Sequence, residues 1–274
     1  MIPFLHLGPL TIPTFGLMVA TGLLAAAFVL QADFDRRREH FQKGSSWKSG
    51  GGQGHHDEGF LIIGVAGLAG LVGARLYHVL ESPRELLADP SLLVSRFGFA
   101  WFGGFLGGFV ALVLLARRFG IPALEFLDLC SPAAAGGYAI GRIGCLLSGD
   151  GDYGVPTTLP WGMSFPNGVV PTTERVHPTP IYEFLIWLAI AGVLWRVGKK
   201  ALRRDSSSKG EIFSLYLILT GIARFLVEII RINPRSFYGL SNAQAASLVS
   251  LIAGAILLWR IKSGASLEEK AAKS

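Results

Sequence analysis

The chain has 274 residues, of which 51% are hydrophobic and 16% are charged, and its formal net charge is +6. Soluble domains carry about 25% charged residues, so this composition argues against an ordinary soluble enzyme. The basic residues lie in short clusters between apolar runs, which is typical of membrane topology signals and not of a nucleic-acid-binding face.

Seven apolar runs predict an all-α integral membrane protein with seven transmembrane helices. A span needs about 20 mostly apolar residues, and such runs cover 14–32, 59–80, 98–116, 124–148, 178–196, 211–231 and 241–260. Segments 33–58, 196–210 and 260–274 hold five, six and four Lys or Arg residues, whereas segments 81–97, 149–177 and 231–240 hold at most two. The positive-inside rule then predicts an external N-terminus and a cytoplasmic C-terminus.

The sequence predicts one polytopic membrane domain at residues 1–262 and a polar cytoplasmic tail at 263–274. Within the domain we expect a flexible, Gly/Ser-rich cytoplasmic loop at about 33–58 and a periplasmic loop at about 149–177. The adjacent His55 and His56 have no further ligands nearby in sequence, so no metal site is predicted. A small-residue face for close helix packing is predicted at Gly64, Gly67, Gly70 and Gly73.

Ionisable residues inside the predicted spans are the first candidates for function, because charge within a bilayer is costly. Arg224, Glu228 and Arg231 share one helix face at positions i, i+4 and i+7. Counted along the predicted spans, all the candidates converge on the outer half of the bilayer, where a lipid head group lies. The set comprises Arg75, His78, Arg142, Tyr182, Glu183, Arg224, Glu228 and Arg231.

The segment GRIGCLLSGDGDYG, Gly141–Gly154, is the most specific local signal. It follows an apolar helix and combines an arginine with five glycines and two acids. Non-helical backbone at this depth must be buried or line a wet cavity, and the planar fork of Arg142 suits a phosphodiester. The alternative is a salt bridge from Arg142 to Asp150 that only fixes a re-entrant turn.

This segment resembles the signature Gly-Arg-x-Gly-Asn-Phe-x-Asn-Gly-Glu of the prolipoprotein diacylglyceryl transferase family. HPTPIYE at 177–183 is similar to the family's His-Pro-x-x-x-Tyr-Glu, and GIARFLVEIIR at 221–231 resembles its Arg-x-x-x-Glu-x-x-Arg helix. PTFGLM at 13–18 and GARLYHVL at 73–80 also fit, so the resemblance extends over nearly the whole chain.

The resemblance implies transfer of the diacylglyceryl group of phosphatidylglycerol to the lipobox cysteine thiol of a preprolipoprotein signal peptide. A thioether forms and glycerol phosphate leaves, in the bacterial inner membrane, with no cofactor and no nucleic-acid partner. By resemblance Arg142 and Arg224 hold the phosphate, Glu228 orients Arg224, and Asp150 stands where the family has Glu. The implied substrate-binding set is completed by Arg75, Gly154, His177, Tyr182, Glu183 and Arg231.

The sequence also departs from the family pattern. Phe102 stands at the histidine of the family's His-Gly-Gly motif, Cys145 and Ser148 replace the two asparagines of the signature, and Phe15 replaces a tyrosine. These departures leave two alternatives open. One is a family-fold enzyme with another acceptor, lipid donor or leaving group, and the other is a non-catalytic phospholipid-binding membrane protein.

The base is a separate question, because phenylalanine at position 102 cannot accept a proton. His78 or His177 would supply an imidazole, the side chain that most often acts as a general base, and His78 enters the predicted catalytic set. Alternatively, the arginines lower the pKa of the substrate thiol enough for catalysis without a protein base.

Overall fold

The computed structural model describes residues 1–44, 57–81, 101–203, 209–235 and 238–273. Each predicted span corresponds to one helix. The helices are α1 (Thr14–Gly44), α2 (Glu58–Glu81), α3 (Trp101–Phe119), α4 (Ala123–Ser148), α5 (Thr179–Arg203), α6 (Glu211–Ile229) and α7 (Asn242–Lys273). Two antiparallel hairpins complete the described part, β1 (Phe4–Leu7) with β2 (Leu10–Pro13) and β3 (Met163–Phe165) with β4 (Thr172–Val176).

Five of the described helices are long and apolar enough to cross a membrane. The stretches are Thr14–Arg37, Glu58–Leu80, Thr179–Leu202, Glu211–Ile229 and Asn242–Gly264. Their outward faces carry many exposed aliphatic side chains, such as Leu68, Leu226 and Val249. Such faces are costly in water and favourable in hydrocarbon, so the chain is a helical membrane protein.

Two predicted irregular segments are partly helical instead. The loop expected at 33–58 is helical as far as Gly44, because the charged stretch after Ala32 continues α1. Residues 45–56, including His55 and His56, lie outside the described residues. The tail expected at 263–274 is helical to Lys273, as the last part of α7. Ala, Glu and Lys favour helix, which explains why a polar tail continues the helix.

The first compact unit comprises Met1–Val29 and Leu127–Ser274. Its apolar core brings Trp187 and Leu194 of α5 against Ile212 and Ala223 of α6. The carboxylate of Asp128 accepts hydrogen bonds from the backbone N–H groups of Gly210 and Phe213, both at 2.7 Å. Asp128 therefore caps the N-terminus of α6 from a distant part of the chain and fixes α6 against α4.

The second unit comprises Leu30–Phe126 and includes α2 and α3. These helices pack through glycines: a Cβ on Gly73 would lie 2.4 Å from the carbonyl oxygen of Gly103, and one on Gly107 would lie 2.3 Å from that of Ala69. The predicted packing face is therefore confirmed at Gly70 and Gly73. It does not extend to Gly64 within the described part of the chain, where no atom lies within 4 Å of the added Cβ. The grouping of residues 1–262 into one membrane domain stays a prediction.

Candidate active site

Glu183, in the first turns of α5, is the centre of a buried ionic cluster. Its side chain is 0% exposed, and its carboxylate accepts hydrogen bonds from Arg142 Nε at 2.8 Å, Arg142 Nη2, Arg224 Nη1 at 2.7 Å and Arg231 Nη1 at 3.3 Å. Burying three guanidinium groups without partners would be prohibitive, so one carboxylate that faces all three is the element that holds them together.

Two further carboxylates complete the pairing of the arginines. Asp152 binds Arg142 Nη1 at 2.7 Å through Oδ2 and Arg231 Nη2 through Oδ1. Glu228 lies 3.0 Å from Arg224 Nη2 and accepts a hydrogen bond of 2.6 Å from Asn233 Nδ2. The predicted pairing of Glu228 with Arg224 on one face of α6 is present. Three arginines thus face three carboxylates, and the formal charges of this cluster cancel.

The arginines differ in the number of donors left for a ligand. Arg142 uses Nε, Nη1 and Nη2 on Glu183, Asp152 and the sulfur of Cys145, the last at 3.2 Å. Arg224 donates one hydrogen bond, from Nη1 to Glu183, and Arg231 donates two, from Nη1 to Glu183 and from Nη2 to Asp152, so each has more of its five donors left than Arg142 has. Side-chain exposure separates Arg224 from the other two arginines: it is 23% for Arg224, 10% for Arg142 and 4% for Arg231. Arg224 is therefore the arginine of this cluster best placed to bind an anion.

Tyr138 supports Arg142 from one helical turn earlier on α4. The guanidinium carbon of Arg142 lies 5.4 Å from the centre of the Tyr138 ring, and the Tyr138 hydroxyl donates to Glu183 Oε1 at 3.3 Å. The ring packs in turn on Trp187, with 4.0 Å between ring centroids. This aromatic support restricts the rotamer of Arg142 and contributes a cation–π interaction.

The acidic side of the site is positioned by a tight turn after α4. Gly149 and Gly151 adopt φ values of 60° and 92°, which favour glycine, and a Cβ on Gly149 would lie 2.7 Å from the Cα of Gly168. Between them, Asp150 Oδ1 accepts a hydrogen bond of 3.2 Å from the backbone N–H of Asp152. The turn points Asp152 at the arginines and leaves the Asp150 side chain half-buried beside them.

The two aspartates have opposite pKa shifts. Burial raises the pKa of Asp150 above its ordinary value, and the nearby charge of Asp152 raises it further. Burial opposes ionisation of Asp152 as well, but Arg142 and Arg231 outweigh it and lower the pKa of Asp152. Asp152 therefore stays ionised as a structural partner, whereas Asp150 is the carboxylate of this turn that more readily takes up a proton.

Gly154 lies where two backbone segments cross. Its N–H donates to the carbonyl of His177 at 2.9 Å, and it forms an antiparallel bridge with Arg231. A Cβ there would lie 2.6 Å from the carbonyl oxygen of Ile230. Only glycine allows this approach, which ties the Asp150–Asp152 turn to the end of α6 that carries Arg231.

A polar chain leads from the exposed surface of the same unit to Tyr182, the residue before Glu183. Trp161, 55% exposed, donates from Nε1 to the Tyr182 hydroxyl at 2.8 Å, and His177 Nδ1 lies 3.2 Å from that hydroxyl. Arg175 donates to the carbonyls of Leu159, Pro160 and Gly162 and so holds the loop that carries Trp161.

One grouping of metal-binding residue types occurs in the described part of the chain. Cys145 Sγ and carboxylate oxygens of Asp150 and Asp152 lie within 4.8 Å of one another. Arg142 and Arg231 contact both oxygens of Asp152, however, and their positive charge opposes a cation at that position. The donor set suits arginine better than a metal.

Comparison with known proteins decides what kind of protein carries this cluster. A model of the prolipoprotein diacylglyceryl transferase family matches residues 3–260. The chain belongs to this family. It is 33% identical over 243 residues to the phosphatidylglycerol–prolipoprotein diacylglyceryl transferase of Clostridium tetani, covering 88% of this chain and 89% of the relative. It is 34% identical to the enzyme of that name from Methylobacillus flagellatus, covering 93% and 94%.

Membership of the diacylglyceryl transferase family makes the chain a transferase of lipoprotein modification. A third relative, the phosphatidylglycerol–prolipoprotein diacylglyceryl transferase 2 of Clostridium perfringens, is 28% identical over 92% of this chain. The resemblance found in the sequence motifs is thereby confirmed.

The structure brings together most of the residues that the sequence singled out, with one correction. Arg142 pairs with Asp152 and not with Asp150, so the alternative of an Arg142–Asp150 salt bridge is wrong. The resemblance drew attention to Asp150, and sequence alone gave no sign of which acid in the turn faces the arginines. Glu183, which the resemblance implies as a substrate-binding residue, lies fully buried and contacts the arginines of the cluster.

Arg75 and His78 lie on α2 in the second unit, where Arg75 is buried and His78 is exposed. Their predicted part in the site stays a prediction. Phe102 lies in the first turn of α3, and its side chain is outside the described part of the structure.

Three members of the cluster were missed by sequence reasoning: Asp152, Tyr138 and Asn233. Tyr138 precedes Arg142 by four residues on the same helix, a spacing that places both side chains on one face and so was a usable signal. Asn233 lies beyond the end of α6, where no helical spacing applies, and only its contact with Glu228 identifies it.

Proposed function

We propose that the protein transfers the diacylglyceryl group of phosphatidylglycerol to the lipobox cysteine of preprolipoproteins. The observation that carries this proposal is the cluster of three arginines held by Glu183, with donors of Arg224 left over. A planar guanidinium with free donors matches a phosphodiester. The names of the relatives indicate the substrates, and the arginine cluster gives a physical reason for binding a lipid phosphate at this site.

In this reaction the cysteine sulfur attacks the glycerol carbon that carries the phosphate. A C–S bond forms, the C–O bond to phosphate breaks, and glycerol phosphate leaves with the electron pair. Negative charge grows on the leaving phosphate, and Arg224 donates hydrogen bonds to it. Arg142, whose donors are mostly engaged, and Arg231, which is only 4% exposed, position Glu183 and Asp152 and contribute positive electrostatic potential.

The thiol proton must pass to a base, since the thiolate is the nucleophile. Asp150 is the acceptor favoured by the geometry of the site, because its pKa is raised and it lies in the turn beside Arg142. His78 is the acceptor favoured by the sequence, as a surrogate for the histidine that Phe102 replaces. Variants of each residue distinguish the two.

The proposal includes seven spans in a bacterial inner membrane, with the N-terminus outside and the C-terminus in the cytoplasm. The distribution of Lys and Arg between the apolar runs supports this topology. It puts the end of α4, the start of α5 and the end of α6 at the outer face. A secreted preprolipoprotein presents its lipobox at the same face.

The experiment combines the purified protein with phosphatidylglycerol and a lipobox peptide, followed by mass spectrometry of the peptide. We expect a diacylglyceryl adduct on cysteine, and none on a peptide in which serine replaces that cysteine. Phosphatidylglycerol that stays bound without any adduct would contradict the proposal and favour another acceptor or a lipid-binding protein. Phe102→His then tests whether the family histidine restores transfer.

A further inference from the structure

An open apolar groove runs along α2 and α3 within the second unit. It has a volume of about 820 Å³, and its walls are aliphatic side chains of both helices, among them Val72, Leu76, Leu106, Val110 and Leu114. All five of these side chains are exposed, between 46% and 58%. The volume lies in the range of small-molecule and lipid sites.

The groove follows from the glycine contact between the two helices. Gly73 and Gly107 let the backbones of α2 and α3 touch, so the larger side chains on either side of the contact diverge. From Gly103 at one end to Arg118 at the other, fifteen residues of α3 extend about 22 Å at 1.5 Å per residue. The result is a long channel and not a round pocket.

The charge of the groove lies at one end. Arg118, exposed in the last turn of α3, is the one Lys, Arg, Asp or Glu residue among the described residues that line the groove. The long stem of an arginine can follow apolar surface while its guanidinium reaches the head-group level. A ligand that matches this lining has a long hydrocarbon part and one anionic group at its end.

We propose that this groove binds an anionic phospholipid, with an acyl chain along α2 and α3 and its phosphate on Arg118. Under the proposed topology, on which this orientation rests, Arg118 lies at the cytoplasmic surface. Basic pockets between helices at that surface favour anionic lipid head groups.

The other long apolar occupant to consider is the signal peptide of an acceptor, and its charge does not match. A signal peptide carries a basic region at its cytoplasmic end, which Arg117 and Arg118 would repel. A spanning helix also needs about 30 Å of apolar contact, more than the groove offers. The lining therefore favours a lipid.

The test uses the full-length protein, freed of lipid in detergent, and native mass spectrometry with added phosphatidylserine or phosphatidylcholine. Arg118→Gln removes the charge at the groove, and Arg117→Gln is the matched control, since Arg117 does not line it. Arg118→Gln should bind phosphatidylserine about five-fold more weakly than wild type, because one basic side chain contributes ~1 kcal/mol. Arg117→Gln should bind it as wild type does. Equal effects of both variants, or equal binding of the two lipids, would overturn the proposal.

A second variant tests the acyl chain independently of charge. Val110→Trp fills the groove without touching Arg118, and we expect it to weaken phosphatidylserine binding as well; unchanged binding would refute the placement of the chain. Transfer is assayed in parallel with excess phosphatidylglycerol, where Arg118→Gln should keep wild-type turnover. A wild type that binds phosphatidylserine in this way but forms no adduct would overturn the proposed function and support the groove.

Discussion

At the residue scale, the cluster around Glu183 explains how three arginines remain charged in a buried site. Each guanidinium faces at least two carboxylates: Glu183 contacts all three arginines, Asp152 pairs with Arg142 and Arg231, and Glu228 lies 3.0 Å from Arg224. Removing one partner of such a buried pair is far more costly than removing a surface ion pair, because a charge is left without compensation. Glu183 is accordingly a positioning residue for the arginines.

The raised pKa of Asp150 predicts the pH dependence of transfer. As the proton acceptor it must be ionised, so kcat/KM rises with pH through a pKa above the ~3.9 of an ordinary aspartate. Asp150→Asn should remove this rising limb and lower the rate across the range. A pH–rate profile of the purified enzyme measures both. An unchanged limb in Asp150→Asn would exclude Asp150 as the base.

His78 gives the competing prediction. If it replaces the family histidine at position 102, His78→Ala lowers the transfer rate by about 10²–10⁴, the usual contribution of a general base. His6→Ala is the matched control, because His6 is exposed and bonds only to Thr11 in the first hairpin. A loss below tenfold in His78→Ala would rule out this assignment and leave Asp150.

At the element scale, the crossing at Gly154 connects the acidic turn to α6. Gly154→Ala would press a Cβ against the carbonyl of Ile230, and overpacking of this kind costs about 1–3 kcal/mol. We therefore expect a lower midpoint of thermal unfolding and a loss of turnover, because Arg231 moves with the backbone. Gly64→Ala is the control, since among the described residues no atom lies within 4 Å of its Cβ. Equal unfolding midpoints for both variants would contradict this packing account.

The helices could be predicted from the sequence, but their ends could not always be. Apolar runs of sufficient length identified the seven helices of the described residues, since length and hydropathy are properties of the chain itself. The ends of α1 and α7 were misplaced because polar residues there prolong a helix beyond the apolar run. The turn at Gly149–Gly151 and the crossing at Gly154 depend on tertiary contacts, and the glycines alone did not reveal them.

At the scale of the whole molecule, the predicted topology can be tested by the accessibility of single cysteines. Both native cysteines, Cys130 and Cys145, are buried, so background labelling is expected to be low. With an external N-terminus, Trp161→Cys reacts with a membrane-impermeant maleimide in spheroplasts, whereas Lys209→Cys reacts only after the membrane is opened. Both positions are exposed. The reverse pattern would invert the topology and contradict an outward-facing site.

The composition of the candidate site was predictable in part. The helical spacing on α6 predicted that Arg224, Glu228 and Arg231 share one face, and the family motifs pointed to Arg142 and Glu183. That one carboxylate binds all three arginines was not predictable, because α4, α5 and α6 are distant in sequence and meet only in the fold.

In the proposed reaction, Arg224 is the arginine that binds the phosphate from the bound lipid to the departing product. The most direct test of this role measures the thioether adduct and released glycerol phosphate for Arg224→Ala, with Arg196→Ala, an exposed arginine of α5, as the control. We expect wild type and control to turn over at the same rate, each forming adduct and glycerol phosphate in equal amounts. The turnover of Arg224→Ala should be lower by about 10²–10³, as for removal of a hydrogen-bond donor to a developing anion. A folded Arg224→Ala protein, shown by its thermal unfolding, with turnover near that of wild type would contradict this role.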